Sequence, residues 1–278
     1  MKLIDGNKIA QSIIESLTKE VSKINGPKPT VAFIRVGEDP ASVSYVRKKQ
    51  KTAENIGIQS LLKILPDSIS QEELIEEIEA FNDDSNVHGI LIQAPLPDHI
   101  SETTIFNTVK PEKDVDGFHP VNVGNLASGY HAITPCTPLG CSLLIKKIEK
   151  NLSGKHAVIV GRSNLNGKPM AQLLLKENCT VTIVHSKTKN IKAECSKADI
   201  LVVAIGVPNF VKKDWVKEGS IVIDVGINKL ENKIVGDVKF EEVKAKVKAI
   251  TPVPGGVGPM TIACLLKNTL ECFKARLI

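Results

Sequence analysis

Two α/β domains, each built on a doubly wound parallel sheet, are predicted by three features of the chain. Short apolar runs alternate with segments of helical periodicity, the pattern of parallel strands joined by crossover helices. At 278 residues the chain exceeds one average domain. Its second half opens on an apolar run, His156–Val160, that enters a glycine-bearing turn and then a helix. That is the arrangement of a Rossmann-type dinucleotide-binding domain, with phosphates held at the helix N-terminus.

Taken in order, Asp5 to Ile24 carries Ile9, Ile13, Ile14, Leu17, Val21 and Ile24 at a helical period. A Gly26–Pro27 turn leads to a buried strand from Thr30 to Gly37. Asp39 offers a cap acceptor with Pro40 at the first helical position, and Gly57 ends that helix. Ser60 to Leu65 reads as a second strand. Ser70 and Glu73 make a capping-box pattern for a helix running through Phe81. His88 to Pro97 is a strand that runs into prolines. Pro111 to Asn125 lacks periodicity and reads as an ordered loop, and Leu139 to Ile148 as a connecting helix. In the second half, Pro169 starts a helix after the turn, TVTIVHS (180–186) is the next strand, and ADILVVAIGVP (198–208) and SIVIDVGIN (220–228) give two more. Pro254 to Pro259 is a rigid loop opening a last helix, long enough to return to the first domain. The expected domains are therefore 1–138 plus 260–278, and 139–259, with a cleft between them.

Composition narrows the function. Apolar residues at 42% and charged residues at 24% supply an ordinary globular core. With one tryptophan, Trp215, and 4% aromatics the chain lacks stacking platforms for single strands. The net charge of +5 is too mild for a duplex and suits a small anionic ligand, so no nucleic acid is expected. The six cysteines form no C-x-x-C pair and no metal-finger spacing; reduced thiols acting as small apolar residues, and no metal, are expected. The amphipathic N-terminus lacks the apolar core of a signal peptide, and no window reaches a membrane span. A cytoplasmic protein without a membrane partner follows.

Chemistry concentrates at a few positions. In the helix after Asp39, Ser42, Tyr45, Lys49, Thr52 and Ile56 share a stripe beside Val43, Val46 and Ala53, while Arg47 and Lys51 point elsewhere. Lys49 can thus lie at the core edge beside a phenol, where desolvation makes a lysine a base near neutral pH. The same stretch also fits a solvated basic face with Tyr45 snorkelling. Gln93 ends a strand, and ligands of such sheets bind beyond the strands' carboxyl ends, so Gln93 and Lys49 can converge. Asp116 reads as an acceptor for a ligand and Asp114 as structural. In the second domain Gly161, Arg162 and Ser163 form the cofactor turn. The strand ending at His185-Ser186-Lys187 has no carboxylate for a ribose 2′-hydroxyl. A cationic, hydroxyl-bearing pocket there suits a 2′-phosphate and predicts NADP over NAD, the alternative being a solvated rim. Gly206 lets a nicotinamide ribose approach the backbone, and Ile227 belongs to the same cofactor set. The Pro254, Gly255, Gly256 turn offers backbone N–H groups to a polar ligand. Asp237 reads as structural.

Seven stretches together, VGEDPASVSYVRKKQK, HGILIQAPLP, PEKDVDGFHPVNVG, TPCTP, VGRSNLNGKPM, HSKT and TPVPGGVGPMT, resemble the bifunctional methylenetetrahydrofolate dehydrogenase/methenyltetrahydrofolate cyclohydrolase family (the bacterial FolD type). The resemblance runs along nearly the whole chain. It implies oxidation of 5,10-methylenetetrahydrofolate by NADP⁺, hydrolysis of the methenyl product to 10-formyltetrahydrofolate, a cytoplasmic homodimer and a role in purine biosynthesis. It makes Lys49 the catalytic residue of hydrolysis, with Tyr45 packed on the folate rings, Gln93 holding the lysine suitably oriented and protonated, and Asp116 on the pterin amino edge. Asn166, where valine is usual, and Ala94, where leucine is common, depart from the pattern. Competing expectations are a dehydrogenase with weak or absent hydrolysis, a silent folate- or nucleotide-binding protein, and a Schiff-base lysine enzyme.

Overall fold

The computed structural model describes residues 1–231 and 233–276. In chain order they form β1 (Lys2–Leu3), α1 (Gly6–Ser22), β2 (Thr30–Val36), α2 (Pro40–Asn55), β3 (Gln59–Leu65), α3 (Gln71–Asp83), β4 (Gly89–Gln93), α4 (Glu102–Thr108), α5 (Pro120–Ala127) and α6 (Cys136–Ile148). Then follow β5 (His156–Val160), α7 (Gly167–Lys176), β6 (Thr180–Val184), α8 (Ile191–Cys195), β7 (Ile200–Val203), β8 (Ile221–Asp224), β9 (Asn228–Leu230), β10 (Lys233–Val235), α9 (Phe240–Val243), β11 (Ala249–Ile250) and α10 (Val257–Ala275). They divide into a first unit, Ser12–Cys136 with the residues from Leu265 onward, and a second unit, Met1–Gln11 with Thr137–Cys264.

The first unit holds a three-stranded parallel sheet in the order β3-β2-β4. Its central strand, TVAFIRV, is buried at every residue, as an apolar, β-branched run covered on both faces must be. Ile34, Ile90 and Ile92 pack there against Leu74 and Ile78 of α3 and Ile105 of α4. The capping box that starts α3 is present: Glu73 N–H donates to Ser70 Oγ (3.1 Å), and Ser70 N–H donates to Glu73 Oε2 (2.8 Å).

The second unit holds a six-stranded parallel sheet in the order β1-β11-β8-β7-β5-β6, plus the β9–β10 hairpin. Val158, Val160, Leu201, Val203 and Val222 form one side of its core. The first eleven residues lie in this unit because Lys2 and Leu3 pair with Ala249 and Ile250. The sequence boundaries had placed them with the first, since a two-residue strand carries no periodicity.

Two segments differ from expectation. The stretch read as a loop to Asn125 turns helical at Pro120, with His119 Nδ1 accepting from Val121 N–H at 3.1 Å. The His-Pro pair is a cap followed by proline at the first helical position. The connecting helix starts at Cys136 rather than Leu139.

Candidate active site

In the first unit, α2 begins where Asp39 Oδ2 accepts from Ser42 N–H (2.7 Å), with Pro40 following. That hydrogen bond holds the Asp39 carboxyl below its usual range. The buried face of the helix is Ser42, Val46, Lys49 and Ala53, at spacings of three and four. Lys49 is 8% exposed, whereas Arg47, Lys48 and Lys51 face solvent. Its Nζ donates to Gln93 Oε1 at 2.9 Å, and Gln93 Nε2 donates to the Ala94 carbonyl at 2.6 Å. The second bond fixes the amide so that its oxygen meets the lysine. The solvated-face reading of Lys49 is therefore excluded; Tyr45, one turn earlier, is 44% exposed.

Asp116 sits on the segment after α4, which is tied down from several sides. Lys113 is fully buried and donates to the Phe81 and Asp84 carbonyls (2.7 Å each) at the end of α3. Burial pushes its amine down to about 8. Asp114 accepts from Gly117 N–H (2.9 Å), His119 N–H (2.8 Å) and Asn122 Nδ2 (3.0 Å). Asn268 Nδ2 donates to the Val115 and Thr134 carbonyls at 2.9 Å each. So held, the Asp116 carboxyl is pushed up to about 6 by burial, against the opposing charge of Lys49. An amine, an amide and a carboxyl thus act on one another at the end of β4. Such a set can take a proton from water and hold a polar ring edge.

In the second unit the corresponding strand ends carry mostly backbone. Gly161 has φ +118°, and a Cβ there would strike the Ala204 carbonyl. The Ser163 hydroxyl accepts from Asn166 N–H (3.1 Å) and Gly167 N–H (3.5 Å), so Ser163 caps α7, and Asn166 makes no side-chain cap bond. Arg162 and Ser163 are exposed. Ser186 and Lys187 are exposed in a turn that His185 N–H closes on Thr188 Oγ1 at 3.0 Å. Gly206 has φ +65°, and Ile227 is 57% exposed. Because β5 lies between β6 and β7, the Ser186, Gly161 and Gly206 turns sit side by side along one sheet edge. Pro254 follows a cis bond; the Gly255 carbonyl accepts from Gly6 N–H (2.9 Å), and Gly256 is buried. The described residues include no group of three or more His, Cys, Asp or Glu placed to hold a metal ion, and no helix long and apolar enough to cross a membrane.

Comparison with known proteins matches both halves to one family. Residues 4–116 fit the catalytic domain of tetrahydrofolate dehydrogenase/cyclohydrolase, and residues 135–277 fit its NAD(P)-binding domain. The chain belongs to the tetrahydrofolate dehydrogenase/cyclohydrolase family. It is 60% identical over 277 residues to the bifunctional protein FolD of Pelagibacter ubique, covering 99% of each chain. The crystal structure of the bifunctional enzyme FolD from Campylobacter jejuni superposes with a TM-score of 0.97 at 50% identity, covering 99% of each chain. The Trypanosoma brucei dehydrogenase-cyclohydrolase, complexed with NADP cofactor and inhibitor, superposes with a TM-score of 0.93 at 39% identity, covering 99% of this chain and 98% of that one.

Within this family member the structure brings Lys49, Gln93 and Asp116 together, with Tyr45 on the same helix as Lys49. Pro254, Gly255 and Gly256 belong to the second unit with the cofactor-turn residues. Sequence reasoning missed Cys136, treated as a small apolar residue. Its thiol donates to the Val115 carbonyl at 3.4 Å and hydrogen-bonds Asp116, lowering that carboxyl's pKa. It also missed Asn268 and the network around Asp224 and Asp237. A polar residue inside an apolar run, as Asn268 is in α10, is the signal that points to such a tie.

Proposed function

We propose that the chain oxidises 5,10-methylenetetrahydrofolate with NADP⁺ and then hydrolyses the methenyl product to 10-formyltetrahydrofolate. The observation that carries this reading is the buried Lys49 amine held by Gln93 beside the Asp116 carboxyl. Water attacking a cationic methenyl carbon must shed a proton, and Lys49 is the group assigned to accept it. Gln93 orients that amine, and Tyr45 packs on the folate rings. Asp116 accepts from the pterin amino edge.

The second unit's residues fit NADP. Arg162, Ser186 and Lys187 supply cationic and hydroxyl donors where a 2′-phosphate would lie, with no carboxylate in that turn to repel it. Gly161 and Ser163 take the pyrophosphate, and Gly206 and Ile227 the nicotinamide end. The bound cofactor accepts the hydride. The protein's part in that step is alignment, which explains why this unit needs no general acid or base. Domain roles follow: folate chemistry on the first unit, cofactor on the second. We further assign the protein to the cytoplasm as a homodimer that feeds formyl groups to purine biosynthesis. Light scattering at micromolar concentration tests the dimer.

The deciding experiment supplies 5,10-methylenetetrahydrofolate and NADP⁺ to purified protein, with an enzyme-free control. NADPH should rise while the methenyl species stays near the control level. Methenyl accumulation alongside NADPH would remove the hydrolytic assignment of Lys49; no NADPH with either NADP⁺ or NAD⁺ would overturn the whole reading.

A further inference from the structure

Two buried aspartates in the second unit have no cationic partner among the described residues. Asp224 is 3% exposed and Asp237 is fully buried. Each spends its carboxylate on amide donors instead. Asp224 Oδ1 accepts from Gly226 N–H (3.1 Å) and Asp237 N–H (2.9 Å), and its Oδ2 accepts from Val238 N–H (2.9 Å). Asp237 Oδ2 accepts from Ile205 N–H (2.8 Å) and Gly206 N–H (3.0 Å), and its Oδ1 accepts from Asn228 Nδ2 (2.9 Å). The chain runs from strand β8 through Asp224 to the 237 position and on to the loop after β7. Glycines make room for it: a Cβ on Gly226 would overlap the Asp237 carboxylate, and one on Gly236 the Asp224 carboxylate. Burying two carboxylates costs several kcal/mol unless their lone pairs are filled. Fold stability alone would be served as well by apolar side chains.

What the network changes is the hydrogen-bonding character of the loop. With both amide protons of Ile205 and Gly206 taken by Asp237, those residues can offer a ligand only their carbonyl oxygens. Neither carbonyl accepts a hydrogen bond among the described residues. Next to this loop, at the end of the neighbouring strand β5, the Gly161 turn has the opposite character. The N–H groups of Arg162 and Ser163 donate to no protein group among the described residues, and the Arg162 guanidinium is exposed. One end of the sheet edge therefore donates, to phosphate, and the other accepts, from hydroxyl or carboxamide N–H groups.

We propose that Asp237, held in turn by Asp224, is a positioning residue that makes the Ile205–Gly206 loop an acceptor surface for the donor groups of the nicotinamide riboside half of the cofactor. The inference rests on assigning the Gly206 loop to the nicotinamide end. It separates the cofactor into halves that respond differently. Losing Asp237 frees two amide protons, lets the loop turn, and spoils only the accepting end.

The test measures Asp237→Ala and wild-type full-length protein by calorimetric titration with NADP⁺ and with adenosine 2′,5′-bisphosphate, the phosphate half alone. The expected result is a tenfold or greater weakening of NADP⁺ with bisphosphate affinity within about twofold of wild type. Hydrolysis of 5,10-methenyltetrahydrofolate, which needs no cofactor, should be unchanged and so reports an intact first unit, while retained bisphosphate binding reports an intact second unit. Asp237→Asn keeps one acceptor oxygen, and the Asn228 amide can turn to meet it; NADP⁺ affinity should return to within about threefold. Equal weakening of both ligands, or of neither, overturns the proposal. If Asp237→Ala does not fold, amide hydrogen exchange on the wild type decides. Ile205 and Gly206 should be protected without cofactor, and free exchange at both would refute the carboxylate latch. Wild-type protein that binds bisphosphate but not NADP⁺ would instead refute the assignment of the loop.

Discussion

The two units end their parallel sheets in opposite ways. Beyond β4 of the first, reactive side chains meet: a buried amine, a carboxamide turned to receive it, and a carboxyl pushed up to about 6. Beyond β5 and β7 of the second, glycines and two buried aspartates shape the backbone, and the exposed side chains are solvated. The difference follows the chemistry. Hydrolysis has a proton to dispose of, so the first unit holds ionisable groups out of water. Hydride transfer has only two carbons to align, so the second unit invests in backbone geometry.

The contrast breaks most sharply at Lys49. Lys49→Met should lower methenyl hydrolysis by about 10²- to 10⁴-fold and leave the NADP⁺ dissociation constant unchanged, as read by methenyl absorbance and by titration calorimetry. A matching loss of cofactor affinity would mean that the division of labour is not real. The mirror experiment is Gly161→Ala. A Cβ at φ +118° facing the Ala204 carbonyl should destabilise the second unit by about 2 kcal/mol or more in urea unfolding, and weaken NADP⁺ while residual hydrolysis survives.

Asp116 sharpens the comparison through pH. Its folded-state value of about 6 lies above the unfolded 3.8, so the folded protein holds the extra proton between them. The stability cost of ionising it grows as pH rises from about 4 to 6 and is complete above that. Asp116→Asn should therefore stabilise the protein at pH 7 by about 3 kcal/mol, with the gain fading to nothing near pH 4 in thermal melts. Folate affinity of the wild type should fall as pH drops through 6, and that dependence should vanish in the variant. The smallest effect belongs to a position with no part in either chemistry. Ser70→Ala removes the α3 capping box and should cost about 1 kcal/mol with both activities intact; a larger loss of hydrolysis would show that α3, through Lys113, steers Asp116.

Much of this was legible in the chain. Alternating apolar runs gave the strands, Asp39-Pro40 and Ser70-x-x-Glu73 the helix starts, and the order of motifs the family. Local signals suffice there because strand burial and helix capping depend on neighbours within a few residues. Lys49 was only half legible: its spacing put it at the edge of the apolar arc, but the same spacing fitted a solvated stripe. The lysine is buried because β4 delivers Gln93 to it from 44 residues away. Cys136, Asn268, Asp224 and Asp237 were not legible as functional groups. Each is defined by what it hydrogen-bonds across the fold, and nothing in composition or period reports a partner 153 residues distant, as Val115 is from Asn268. The sequence by itself determined which segments are strands and helices, and the reaction class. Only the tertiary structure decided which lysines are held out of water and which amides the aspartates consume, because desolvation and hydrogen-bond pairing are properties of groups brought together, not of residues in line.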